Sequence, residues 1–197
     1  MPLGHEPPQL LKRRLLYEGR KFNFEVNRLR LPNQAEGEWE CVRHPGGALA
    51  VPLTDDGRLI LLRQYRFAVL GRLLEFPAGT VEPNESPAET IRREIQEETG
   101  YAATTWLPIG TFPIAPGYSD EIIYAFLATD LAPVNAVEGD EDEDLEVVLM
   151  TPNQLEKAIL AGEAVDAKTV ASFFLAKPFI AKLTDFQPIS PPQVTEF

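Results

Sequence analysis

The chain has 197 residues, a formal net charge of −12, one cysteine and two histidines. That length suits one domain with a full core, or one domain with an appendage. The acidic balance argues against nucleic acid or an anionic membrane surface as the main partner. Cys41 alone allows no internal disulfide and fits a reducing compartment. With only His5 and His44, a His-rich zinc site and a Ser-His-Asp triad are both poorly supported. No stretch approaches the roughly 18 apolar residues of a membrane span. The start, MPLGHEPPQLLKRR, has no apolar run of signal-peptide length, so the expected location is cytoplasmic.

In chain order, Met1 to Gln9 is Pro-rich and expected to be loose. Arg13 to Glu40 reads as short strands joined by a turn. Polar and apolar residues alternate from Lys21 to Asn27, Leu31-Pro-Asn-Gln signals a turn, and a second strand follows around Glu38 to Arg43. Residues 1–45 are therefore expected to form a small antiparallel β appendage, with the main domain over 46–184. Gly47–Leu53 and Arg58–Arg66 flank Asp55-Asp56-Gly57, which predicts a hairpin. Arg72–Phe76, Thr104–Pro113, Ile122–Ala128 and Asp144–Met150 are further strand candidates. Thr151 begins a capping box, so a helix should run to about Ala161 and stop at Gly162. A last helix is expected over Asp166–Ala176, ending at Pro178. Residues 185–197 read as a Pro-rich, extended tail. Strands interleaved with two or three helices predict a mixed α/β domain.

The stretch from Gly79 to Tyr101, GTVEPNESPAETIRREIQEETGY, organises the rest. Ser86 is a good N-cap, Pro87 suits the first helical position, and Glu89 completes a capping box. Gly100 is a natural stop, so the helix is predicted over Pro87–Thr99. Ala88, Ile91 and Ile95 share one side and should pack on a core. Glu94 and Glu98 are four apart and stack on one face, with Glu97 beside them. Like charges at that spacing destabilise a helix, and partial burial raises the cost. A charge run is by default a solvated helix face. Here an all-oxygen donor set without His or Cys suits Mg²⁺ or Mn²⁺ as the positive charge that offsets it.

The same stretch resembles the Nudix box of the Nudix hydrolases. The pattern is Gly, five residues, Glu, seven residues, Arg-Glu, an apolar residue, any residue, Glu-Glu, any residue, Gly and an apolar residue. Gly79, Glu85, Arg93, Glu94, Ile95, Glu97, Glu98, Gly100 and Tyr101 fill it, with Tyr101 standing where the family usually has an aliphatic side chain. The resemblance implies an α/β/α Nudix sandwich and cleavage of a nucleoside diphosphate linked to another group, with metals held by helix glutamates. Pro116, fifteen positions beyond Tyr101 in APGYSDE, is similar to the ADP-ribose pyrophosphatase branch. So are LLRQYR (61–66), LLEFPAG (73–79), WECVRHPGG (39–47) and VDAKT (165–169).

That branch implies hydrolysis of ADP-ribose to AMP and ribose 5-phosphate. It implies metal held by Glu94, Glu98 and Glu97, with the Ala78 carbonyl as a backbone ligand and Glu143 as a further metal contact. Arg93 would orient the box glutamates by ion pairing. Arg66 would pair with substrate phosphate, and Glu75 would lie near substrate, as would Pro116 and Gly117. Trp39 would stack on the base with Glu40 at its edge, contributed by a second subunit of a homodimer; Phe22 or Phe24 would add a further aromatic. Arg43 and His44 stand where relatives often carry a basic residue. The catalytic base would come from the acidic run Glu138–Glu146, at Glu141, with Glu97 the next candidate. The alternatives are another nucleoside diphosphate sugar, a dinucleotide, or a nucleotide-sensing Nudix domain without turnover.

Overall fold

The computed structural model describes residues 6–134, 144–163 and 165–184. The first unit is a three-stranded antiparallel sheet, β1 (Gln9–Glu18), β2 (Asn23–Arg30) and β3 (Glu36–Arg43). The Leu31–Gln34 turn joins β2 to β3, with Gln34 at a left-handed φ of 68°. Alternation in the sequence points to β2 and β3; β1 is an additional strand, and every one of its residues is exposed.

The main body holds two further sheets. One has the order β7 (Ala78–Thr80), β4 (Gly47–Pro52), β9 (Ile122–Pro133), β8 (Tyr101–Pro113). The other runs β10 (Leu145–Met150), β5 (Leu59–Arg66), β6 (Gly71–Glu75). Helices α1 (Pro87–Thr99), α2 (Pro152–Leu160) and α3 (Ala167–Leu183) complete it. Strand β4 is buried on both faces, which explains its unbroken apolar run GALAVP. Leu49 and Val51 join Leu61, Phe76, Leu127, Leu155, Phe173 and Ile180 in the larger core. On the opposite face, Ala48 and Ala50 meet Ile91 and Ile95 of α1. Two alanines under the helix let its backbone come close to the sheet. The α1 carboxylates are thereby carried to the β7 edge.

Two sequence expectations need correction. The Asp55–Gly57 turn forms, with Thr54 N–H donating to Arg58 O at 2.8 Å, but β4 and β5 are not a hairpin. One bridge, Leu53 with Leu59, joins them before they part into different sheets. Burial on both faces lets each strand find other partners. Helix α3 also does not end at Pro178. It continues to Leu183 with Pro178 inside, because Ile180 is fully buried and helical packing of that turn outweighs the lost hydrogen bond. No described helix is long and apolar enough to cross a membrane.

Candidate active site

Helix α1 starts as its sequence predicts. Ser86 Oγ accepts the Glu89 N–H, and the Glu89 carboxylate accepts the Ser86 N–H at 2.8 Å. Gly100 ends the helix at φ 72°. Glu98 is 6% exposed and accepts the Ala78 N–H at 3.0 Å, which pins the helix to β7. Glu94 lies against the backbone of Gly79; a Cβ built there would fall inside the Glu94 carboxylate. Glycine at this box position is thus a requirement for the carboxylate to reach the strand edge.

Arg93 gathers three carboxylates. Its guanidinium donates to Glu85 through Nε and Nη2, each at 3.2 Å, and through Nη1 to Glu94 at 2.9 Å and Glu97 at 2.8 Å. Hydrogen bonds to Glu85 lead in holding the Arg93 pKa above its usual range, against the opposing effect of burial. The same pairing, with Thr90 adding a bond, keeps the Glu85 carboxyl below its ordinary range. Among the described residues no three acidic, His or Cys side chains already form a cation cage. The donor chemistry fits a hard divalent cation nevertheless: Glu94 lies against Gly79, Glu98 accepts the neighbouring Ala78 N–H, and Glu97 shares the Arg93 guanidinium with Glu94, an all-oxygen set on one helix.

Next to this edge lies a second charged cluster. Arg66 at the end of β5 grips Glu75 of β6 with two bonds, Nε to Oε1 at 2.7 Å and Nη2 to Oε2 at 2.8 Å. Lys168 of α3 also donates to Glu75 Oε2, and to Asp166 at 2.6 Å. The bonds to Glu75 raise the Arg66 pKa, burial opposes them, and the charge of Glu98 adds to the rise, so the two clusters lie within electrostatic reach. Burial would raise the Glu75 carboxyl, yet Arg66 and Lys168 hold it below its ordinary range. A carboxyl depressed in the folded state contributes stability that is complete above its unfolded pKa, about 4.3, and declines as pH falls through the native value. Denaturant titrations from about pH 7 down to about pH 3 should therefore show a shallower acid decline for Glu75→Gln than for the wild type. Parallel curves would contradict this.

The remaining expected residues lie elsewhere. Trp39 and Glu40 are on β3, with the indole folded back over Gly37. Among the described residues no hydrogen bond or ion pair links either side chain to α1, β6 or β7. Pro116 and Gly117 form a tight turn in which Tyr118 and Ser119 N–H groups both donate to Ala115 O. This turn is tied to β3: Val42 N–H donates to Tyr118 O at 2.8 Å, and Arg43 reaches Asp120 at 2.9 Å. Arg43 also pairs with buried Glu25 at 3.0 Å, so two carboxylates of the chain already hold it. His44 Nδ1 accepts the Gly46 N–H at 3.1 Å. Glu141 and Glu143 lie outside the described residues. Sequence reasoning missed the ion pairs of Lys168 and Asp166, although VDAKT contains both residues; their partner Glu75 is 93 positions away from Lys168.

The family model for the NUDIX domain matches residues 43–173, two thirds of the chain. The chain belongs to the Nudix family. It is 37% identical over 155 residues to a Bacillus subtilis protein named ADP-ribose pyrophosphatase, covering 78% of this chain and 84% of that one. A Bacillus methanolicus protein named methanol dehydrogenase activator is 33% identical, with 81% and 87% of the two chains covered. Among solved structures, one titled as the crystal structure of an ADP compounds hydrolase superposes with a TM-score of 0.76 at 27% identity, covering 89% of this Nudix chain and 95% of its own. The chain is a Nudix pyrophosphohydrolase with the mixed α/β architecture of that hydrolase. Nudix hydrolases generally use divalent metals.

Proposed function

We propose that this Nudix chain hydrolyses the diphosphate of ADP-ribose to AMP and ribose 5-phosphate, with Mg²⁺ (or Mn²⁺) as the metal. The observation that carries the reading is the docking of α1 on β7, which sets Glu94 and Glu98 at the strand edge, with Glu98 within the electrostatic reach of Arg66. The similarity to proteins named ADP-ribose pyrophosphatase supports the substrate. Glu94, Glu98 and Glu97, with the Ala78 carbonyl and Glu143, would hold the metal. Bound there, a divalent cation would neutralise diphosphate charge and lower the pKa of a water. Arg93 orients Glu85, Glu94 and Glu97 by ion pairing. Arg66, fixed in plane by Glu75, presents its outer edge to phosphate oxygens. Trp39 and Glu40, with Pro116 and Gly117, serve the base and sugar side. Side-by-side product analysis on ADP-ribose, ADP-glucose and NADH tests the substrate; preferred turnover of ADP-glucose or NADH would replace it with another ADP compound.

Glu141 is the proposed base. Glu141→Gln should lower kcat by about 10²–10⁴ with KM little changed, and Glu143→Gln should lose less. If both variants turn over ADP-ribose at the wild-type rate, the base lies elsewhere and Glu97 is next.

The working enzyme is proposed to be a homodimer in which residues 1–45 complete the partner's site, 46–184 form the catalytic domain and 185–197 a tail. Strand β1 supports this: Leu10, Leu15, Leu16 and Tyr17 are each about half exposed, a large apolar surface for a small sheet. Light scattering at assay concentration should give twice the chain mass of 21.9 kDa; an active monomer would refute the arrangement.

A further inference from the structure

We infer that Lys168 is a positioning residue for Arg66: by sharing Glu75, it leaves Arg66 a charged edge for the substrate diphosphate. The inference rests on the reading of Arg66 as a phosphate donor. Glu75 is 2% exposed, so its charge has to be offset inside the protein. Arg66 supplies Nε and Nη2; its remaining terminal nitrogen, Nη1, makes no hydrogen bond among the described residues. A bidentate carboxylate fixes the plane of a guanidinium, so Nη1 has a set direction.

The chain builds Lys168 into place with several bonds. Asp166 caps α3 by accepting the Thr169 N–H at 2.9 Å, and its other oxygen holds the Lys168 ammonium at 2.6 Å. Thr169 Oγ1 accepts the Phe76 N–H at 2.8 Å, and the Asp166 N–H donates to the Leu74 carbonyl at 3.3 Å. The stretch 165–169 thus staples the start of α3 to β6 beside Glu75. Capping needs only Asp166 and Thr169. A largely buried ammonium is not needed for that, and burying it is costly unless its charge is used. Two cations, Arg66 and Lys168, balance two anions, Glu75 and Asp166. Without Lys168 the cluster carries one net negative charge beside the glutamates of α1, and Glu75 draws on Arg66 alone.

Lys168→Gln should raise KM for ADP-ribose about tenfold, the weight of one charge-assisted hydrogen bond to phosphate lost when Glu75 draws on Arg66 alone, while kcat stays within about threefold. Lys168→Gln/Asp166→Asn removes the cation with its balancing anion and keeps a capping side chain, so it should fold and show the same KM rise. The deciding measurement is a double-mutant cycle with Arg66→Ala. Acting through Arg66, Lys168→Gln should add little once Arg66 is gone. A full tenfold addition in the Arg66→Ala background, or an unchanged KM in both folded Lys168 variants, overturns the inference alone. An unchanged KM in Arg66→Ala overturns the reading of Arg66 on which it stands.

Discussion

Glu98→Gln is expected to lower turnover by about a thousandfold or more in a chain that still folds, because a metal's share of transition-state stabilisation is several kcal/mol. The fold should survive because the Glu98 bond to the Ala78 N–H needs only an acceptor oxygen, and the glutamine amide has one. The carboxylate charge is what disappears. Measuring kcat and circular dichroism on the same preparation separates these effects. Near-normal turnover by a folded variant would remove Glu98 from the reaction.

Gly79→Ala should produce a comparable defect from a residue with no functional group. The added methyl would occupy the volume of the Glu94 carboxylate and of the carbons behind it. Gly79 lies in β7 without a left-handed φ, so alanine suits its backbone. The strand is held by its pairing with β4, whereas Glu94 is a side chain that can swing away. Displacing an oxygen donor by an ångström or more misplaces the reacting groups, and about a hundredfold loss in kcat is expected. Thermal unfolding should move little, since no buried apolar contact is lost. A large stability loss with kcat intact would show that Gly79 serves packing and not the placement of Glu94.

How much of this was legible in the sequence follows from the range of the forces involved. Helix α1 could be read to its last residue, because the Ser86–Glu89 box, Pro87 and Gly100 act locally. Where partners are distant, the sequence is mute. Nothing near Glu75 announces Lys168, and nothing near Arg43 announces Asp120, 77 positions away. The β4–β5 turn was visible in Asp55-Asp56-Gly57, but strands buried on both faces carry no mark of which sheet they join. Pro178 argued for a helix end, and burial of Ile180 prevailed over it. Strand β1, rich in Lys12, Arg13 and Arg14, shows no clean alternation because all of it is exposed in the single chain. The roles proposed for Trp39, Glu40, Pro116 and Gly117 rest on family resemblance, because contact with a base or sugar leaves no local mark in a single chain.

The proposed activity requires that the carboxylates of α1 act on a diphosphate by way of a bound divalent cation. It is tested most directly by following AMP and ribose 5-phosphate from ADP-ribose before chelation, after exhaustive EDTA treatment, and after Mg²⁺ is restored. Equal amounts of the two products, their disappearance on chelation and their return with Mg²⁺ are the predicted result. Undiminished hydrolysis in EDTA, or release of ADP in place of AMP, would contradict it.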